Sequence, residues 1–276
     1  MGVGARIICD SVSANHSRLT TMEIELHRFI LPEFNTHRKF SRNFQSSRAI
    51  PLARQREMVE ADPALPVFWG ANRAGMVADD ALSGEKIVLA KSYWYDALTE
   101  MCNIHKKMEE LGVHKQIANR LLEPFMYTKG VVSGTDDAFN HFFKLRCHKD
   151  AQPEIQALAN AMKKAYDESK PTKLKVDEWH LPYVTPEDRE KYHIENLIKI
   201  SVSSCAQVSY RNLDTSLEKA NIIFDRLSLI PEKAGGNPPH ASPCEHIAQA
   251  CVASSRNTLN GNFNNGWRQL RQMLEV

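Results

Sequence analysis

The sequence predicts an α+β protein, rich in helix, with a few strands near its start, middle and end. Three observations carry that reading. Apolar and acidic residues alternate over Met22–Leu26, the period of a half-buried strand. Apolar residues recur at helical spacing from about Gly84 to Leu111. Phenylalanines at 139, 142 and 143 mark another helix just after the strand-like stretch "FMYTKGVV".

The elements follow in order. Met22, Ile24 and Leu26 face one way between Glu23 and Glu25. A helix is expected next, opened by Phe29–Pro32 with proline in its first turn, where no N–H is needed. It would carry Phe34, Thr36, His37 and Arg38. "DPALPVFWGANRAGM" has the prolines and glycines of an irregular loop. In the long helix Trp94, Leu98, Met101, Ile104 or His105, and Met108 form the apolar face, and Gly112 ends it. A second helix spans about Lys115 to Glu123 and stops near Pro124. A third runs from about Asp136 to Leu145. Asp150 is read as the N-cap of a fourth, with Pro153 in its first turn and Ile155, Leu158, Met162 and Tyr166 inward. "KPTKLKVDEWHLPYVTPEDREKYH" is a long connection suited to covering a site. Thr215–Glu218 is a capping box opening a helix through Leu227. "PEKAGGNPPHASP" is a loop. There is no internal repeat.

Composition excludes several classes. The chain has 276 residues, 42% hydrophobic and 25% charged, so a packed core is expected. A formal net charge of +2 is too small for a general polyanion binder, and any basic site must be local. No apolar run approaches the roughly 20 residues of a membrane span. The start, "MGVGARIICDSVSANHS", has no apolar h-region, and Ala5 and Arg6 do not continue a myristoylation pattern from Gly2. Cysteines at 9, 102, 147, 205, 244 and 251 form no CxxC pair, which fits reduced thiols in a cytoplasmic protein.

One local basic site stands out. "NTHRKFSRNFQSSRAIP", Asn35 to Pro51, gathers positive charge and hydroxyls without a carboxylate. Arg38, Ser41, Arg42, Asn43, Ser46, Ser47 and Arg48 are the group types that hold phosphate. The same pattern also suits a solvated helix end or a nucleic-acid arm, although aromatic rings for base stacking are few. Arg146 follows the aromatic helix face and either points into a ring-walled pocket or compensates the helix dipole. Cys147 beside His148 is a poor catalytic pair, because chain neighbours seldom face each other. His240, Cys244 and His246 in "HASPCEH" fall short of a zinc set. Neither GxGxxG nor a Walker loop is present.

Taken together, these pieces resemble the flavin-dependent thymidylate synthases, the thymidylate synthase complementing protein family. "THRKFSRNFQSSR" resembles that family's RHRxxSxNxxSxR signature. "HKQIANRLLEPFMYT", "FFKLRCHKDAQPEIQ", "SCAQVSY" and "HASPCEH" resemble four further family segments. The last two stand at the end of this chain, where the usual order puts them first. The chain therefore resembles a circularly permuted form, the long branch found in bacteriophages, which also carries an "EWHLPYV" insertion.

The resemblance implies a helix-rich subunit with a small, mostly antiparallel sheet, one domain over 1–276 with insertions near 52–84 and 169–196. It implies FAD, NADPH and methylenetetrahydrofolate, with dUMP methylated at C5 to dTMP. NADPH reduces the flavin, the folate supplies the carbon, and no enzyme nucleophile is needed. Thr36, His37, Arg38, His141, Ser209, His240 and Ser242 would sit at the flavin. Glu33, Ser46, Ser47, Arg48 and Arg120 would sit at the nucleotide, and Arg146 would pair with the pyrimidine edge as the catalytic group. It also implies a homotetramer with shared active sites, no membrane or nucleic-acid partner, and a cytoplasmic location, that of the host if phage-encoded.

Thr36 replaces the first signature arginine, Glu33 a glutamine, Phe44 a glutamate and His141 an asparagine. Alternatives are a C5 methyl- or hydroxymethyltransferase acting on dCMP, and a non-catalytic nucleic-acid-binding protein.

Overall fold

The computed structural model describes residues 2–78, 80–209, 212–227, 242–252, 261–263 and 266–274. In chain order come β1 (Gly4–Val12), β2 (Arg18–His27), α1 (Leu31–Asn35), β3 (Ser41–Phe44), α2 (Leu52–Ala61), α3 (Glu85–Glu110), α4 (Lys115–Ala118), β4 (Tyr127–Thr135), α5 (Asp136–Arg146) and α6 (Pro153–Glu168). Then follow β5 (Thr172–Lys173), β6 (Trp179–His180), α7 (Pro186–Lys191), α8 (Ile194–Ala206), α9 (Leu217–Arg226), β7 (Ala248–Ala250), β8 (Trp267–Gln269) and α10 (Leu270–Leu274). The architecture is α+β, as the sequence predicts.

The main sheet has the order β3-β4-β2-β1-β5, antiparallel except for β1 with β5. A smaller sheet is β6-β7-β8. Alternation along β4 shows how two cores share the main sheet. Val132 joins Met22, Ile24 and Leu26 beneath α5 and α6, with Phe139, Phe142, Ile155 and Met162. Its neighbour Val131 faces the other way, into a cluster with Leu197, Val202, Cys205, Phe224 and Cys244. Successive strand residues point to opposite faces, so adjacent valines serve opposite layers. A third cluster joins α2 and α3 through Val59, Leu98, Cys102, Leu122 and Phe125.

Glycines in β4 make room for aromatic rings. A Cβ at Gly130 would lie 2.3 Å from the Phe44 ring, and one at Gly134 would lie 2.8 Å from Phe40. Phe40 stacks on Phe34 at 5.8 Å, and Phe34 meets Phe44 and Phe142 edge-on. This ring cluster pins the chain between α1 and β3 against the sheet.

Several expectations shift. The first helix is only Leu31–Asn35. The Thr36 hydroxyl donates to the Glu33 carbonyl at 2.7 Å and closes it, so His37 and Arg38 lie in the following turn. Pro124 does not stop the second helix. The α-helix ends at Ala118, and a tighter 3-10 turn, Asn119–Phe125, carries the proline within it. Gln152, not Asp150, caps α6, because the extended residue before Pro153 is where the helix must begin. Ser216, not Thr215, caps α9 and accepts from the Lys219 amide at 3.3 Å.

The long connection after α6 holds β5, β6 and α7. α8 has no counterpart in the expected elements. Buried Ser201, Ser203 and Ser204 interrupt its apolar stripe, and the Ser201 hydroxyl donates to the Pro182 carbonyl. The expected loop over 231–243 lies outside the described residues except for Ser242 and Pro243, which open a 3-10 turn, Ser242–His246. Among the described residues no helix is long and apolar enough to cross a membrane. None of the six cysteines forms a disulfide among the described residues.

Candidate active site

The turn after α1 is built by Arg42. Its Nε donates to Asn35 Oδ1 at 2.8 Å, and its terminal nitrogens donate to the carbonyls of Phe40 (3.0 Å), Asn35 (3.1 Å) and His37 (3.3 Å). A guanidinium so used is scaffold. Ser41 is likewise buried and accepts from Gln269 at 2.9 Å, and Asn43 donates to the Cys205 carbonyl at 2.8 Å. Three members of the expected phosphate set therefore face the protein. Asn43 joins β3 to α8, while the turns Gln207–Ser209 and Ser242–His246 pack against β3.

Arg42 thereby fixes His37. The His37 ring stands edge-on to Phe142 at 4.8 Å, and its Nε2 accepts from Arg146 Nε at 2.9 Å. The contact makes His37 neutral with its proton on Nδ1. Burial, then the nearby Arg146, His141 and Arg42, push its pKa down to about 4. Among the described residues the terminal nitrogens of Arg146 have no partner. His141 is exposed on the same helix.

The next loop is braced from two sides. The Ser46 amide donates to Ser209 Oγ at 2.9 Å, and Ser46 Oγ accepts from the Arg48 amide at 3.3 Å. From the other side Asn119 Nδ2 donates to the carbonyls of Ser47 (2.7 Å) and Ile50 (3.0 Å). Asn119 accepts in turn from His105 at 3.0 Å, whose other nitrogen accepts from Arg56 at 3.2 Å. Asn119 and His105 are fully buried. One sign of this brace is legible in the sequence: an asparagine between the apolar pairs Ile117–Ala118 and Leu121–Leu122.

Ser47 is buried, but the Arg48 guanidinium is exposed. Neither Arg38 nor Arg48 makes an ion pair among the described residues. Arg120 donates to the Gln116 carbonyl and lies 3.9 Å from Glu123, so it turns toward its own helix. Glu33 is exposed and makes no ion pair among the described residues. Ser242 is half-buried and His240 lies outside the described residues. Cys147 is held protonated by burial, and His148 pairs with Asp150.

Behind these groups a buried polar chain crosses the sheet. Ser11 Oγ meets His180 Nδ1 (2.9 Å), His180 Nε2 meets Thr21 Oγ1 (2.9 Å), Thr21 meets Ser133 (2.6 Å), and Ser133 meets His246 Nδ1 (2.9 Å). Burial pushes the pKa of both histidines down to about 3.

The sequence pattern of the thymidylate synthase complementing protein family matches residues 14–172, more than half of the chain. The chain belongs to that family. It is a methyltransferase of the flavin-dependent thymidylate synthase type. Two solved structures of a UMP/dUMP methylase, PolB from Streptomyces cacaoi, resemble it. The complex with 5-Br UMP superposes with a TM-score of 0.51 at 16% identity, covering 60% of this chain and 89% of that one. The complex with 5-Br dUMP gives 0.47 at 20% identity, covering 55% and 67%. The first establishes a shared fold. A comparison with curated proteins finds no match.

The family match contains Glu33 through Arg48, Arg120, His141 and Arg146, while Ser209, His240 and Ser242 fall outside it. Arg38 and Arg48 suit phosphate or pyrophosphate oxygens, and Arg146 offers a planar fork.

Proposed function

We propose that this protein methylates C5 of a deoxypyrimidine monophosphate, converting dUMP to dTMP with FAD, NADPH and methylenetetrahydrofolate. The observation that carries the reading is the Arg146–His37 contact. It lies within the family-matched region and leaves the outer edge of the guanidinium open beside an aromatic wall.

Arg48 takes the nucleotide phosphate, and Ser46 and Ser47 shape the loop that presents it. Arg120, exposed on the neighbouring turn, assists by swinging from Gln116 and Glu123 toward the phosphate. Arg146 meets the pyrimidine edge and stabilises negative charge on the ring. Thr36, His37, Arg38, His141, Ser209, His240 and Ser242 are the residues toward FAD, with Arg38 the charge for its phosphates. When bound, the flavin supplies the hydride that completes the methyl group. The active form is a cytoplasmic homotetramer in this reading, without membrane or nucleic-acid partners.

The chain is read as one domain, 1–276, circularly permuted, with insertions near 52–84 and 169–196. Supporting the permutation, Ala248 and Ala250 pack in one apolar cluster with Leu19, at the start of β2. A second acceptor, dCMP, is favoured by Glu33. A carboxylate accepts from cytosine N4, and Glu33 makes no ion pair among the described residues.

The first test is the visible spectrum of the purified protein. Flavin absorbance supports the reading. A colourless protein with salt-dependent DNA binding favours a nucleic-acid-binding role instead.

A further inference from the structure

We propose that His37 is the positioning residue for Arg146. It holds the guanidinium by its Nε so that the terminal nitrogens are presented as a fixed fork to the pyrimidine edge. The inference rests on the functional reading above and assigns His37 a role other than flavin contact alone.

Three observations support it. The Arg146 Nε–His37 Nε2 bond is 2.9 Å, and it is the hydrogen bond that the Arg146 side chain makes among the described residues. The imidazole cannot swing away. Its ring abuts Phe142 at 4.8 Å and 87°, with Phe34 at 6.5 Å, and its carbonyl accepts from Arg42. The charged and titratable groups acting on it, Arg146, His141 and Arg42, all favour the neutral form, which alone has a lone pair for Arg146.

An arginine on the last turn of α5 would otherwise sample several side-chain rotamers. Anchoring its Nε removes that freedom before a ligand arrives, while the terminal N–H groups remain for a flat partner. A neutral imidazole is suited to this. A carboxylate at the same place would neutralise the charge that the base requires, and a lysine would repel it.

The test separates ring from acceptor. His37→Phe keeps the aromatic packing and removes the acceptor. His37→Gln loses the ring and keeps an acceptor oxygen near the Nε2 position. Affinity for dUMP and dCMP is measured by titration for wild type, both variants, Arg146→Ala, and His37→Phe combined with Arg146→Ala. Thermal midpoints are recorded throughout. The expected result is a loss of about tenfold in nucleotide affinity for His37→Phe, one hydrogen bond's worth. His37→Gln should recover most of it, and His37→Phe should have no added effect when Arg146 is already alanine.

Equal losses in the Phe and Gln variants, or independent effects in the double variant, would overturn the proposal while leaving the functional reading intact. Absence of nucleotide affinity in wild type, or full affinity in Arg146→Ala, would overturn the reading and this proposal with it.

Discussion

Arg42 and Arg48 stand in the same basic segment and have opposite surroundings. Arg42 is turned inward, and its guanidinium is matched to a side-chain oxygen and three backbone carbonyls. Arg48 is turned outward, with its backbone held by Ser46 and its charge unmatched by any carboxylate among the described residues. The inner arginine gives the His37 turn its shape. The outer one keeps its hydrogen-bonding capacity for a ligand. A basic cluster is therefore not one site: acceptors supplied by the fold decide which charges are structural and which remain available.

The largest effect expected on the inner side comes from acid. His180 and His246 take up protons near pH 6.5 when unfolded but only near pH 3 when buried. Between these values the unfolded chain binds more protons, so stability is complete above pH 6.5 and falls as pH drops. At roughly 1.4 kcal/mol per pH unit and per group, the two should together cost about 4 kcal/mol by about pH 5. His37 adds to the loss in the same direction, down to about pH 4. Urea unfolding at neutral and acid pH measures this, and equal midpoints would show that the imidazoles are open to solvent.

Arg42→Ala should cost about 3 kcal/mol of stability, because a charge-assisted network is removed and its acceptors are left half-buried. An unchanged midpoint would erase the contrast with Arg48. Arg48→Ala should instead leave the midpoint alone and weaken nucleotide binding by about 1.5–3 kcal/mol. If titration shows full affinity, the outer arginine is only solvated surface. The smallest effect sharpens the boundary between the two sides. Gly130→Ala should destabilise by about 1–2 kcal/mol as the Phe44 ring is displaced, with Arg48 still able to bind.

The same contrast explains what could be read from the chain alone. Strand β2, α3 and α5 were legible because their apolar residues keep a strict period. The roles of Arg42 and Ser41 were not: Arg42 is absorbed by oxygens of its own turn, on Asn35, His37 and Phe40, and Ser41 by Gln269, far away in sequence. Asn119 was missed as a brace for the same reason, its acceptors lying about seventy residues earlier. α8 was hidden because buried serines, bonded to carbonyls, behave as core while looking like surface. Arg146 stands out in the sequence at the end of an aromatic helix face, but its link to His37, 109 residues away, has no local signature.

Methylation at C5 of a pyrimidine ring is decided by product analysis. The protein, with FAD, NADPH and methylenetetrahydrofolate, is offered dUMP and dCMP separately, and each product is identified by mass. A methylated product is expected from dUMP, and it should disappear in Arg146→Ala. Turnover of dCMP alone would move the acceptor to cytosine and give Glu33 its role. A hydroxymethyl product would change the outcome of carbon transfer. Failure to convert either nucleotide in a flavin-loaded protein would overturn the proposed function.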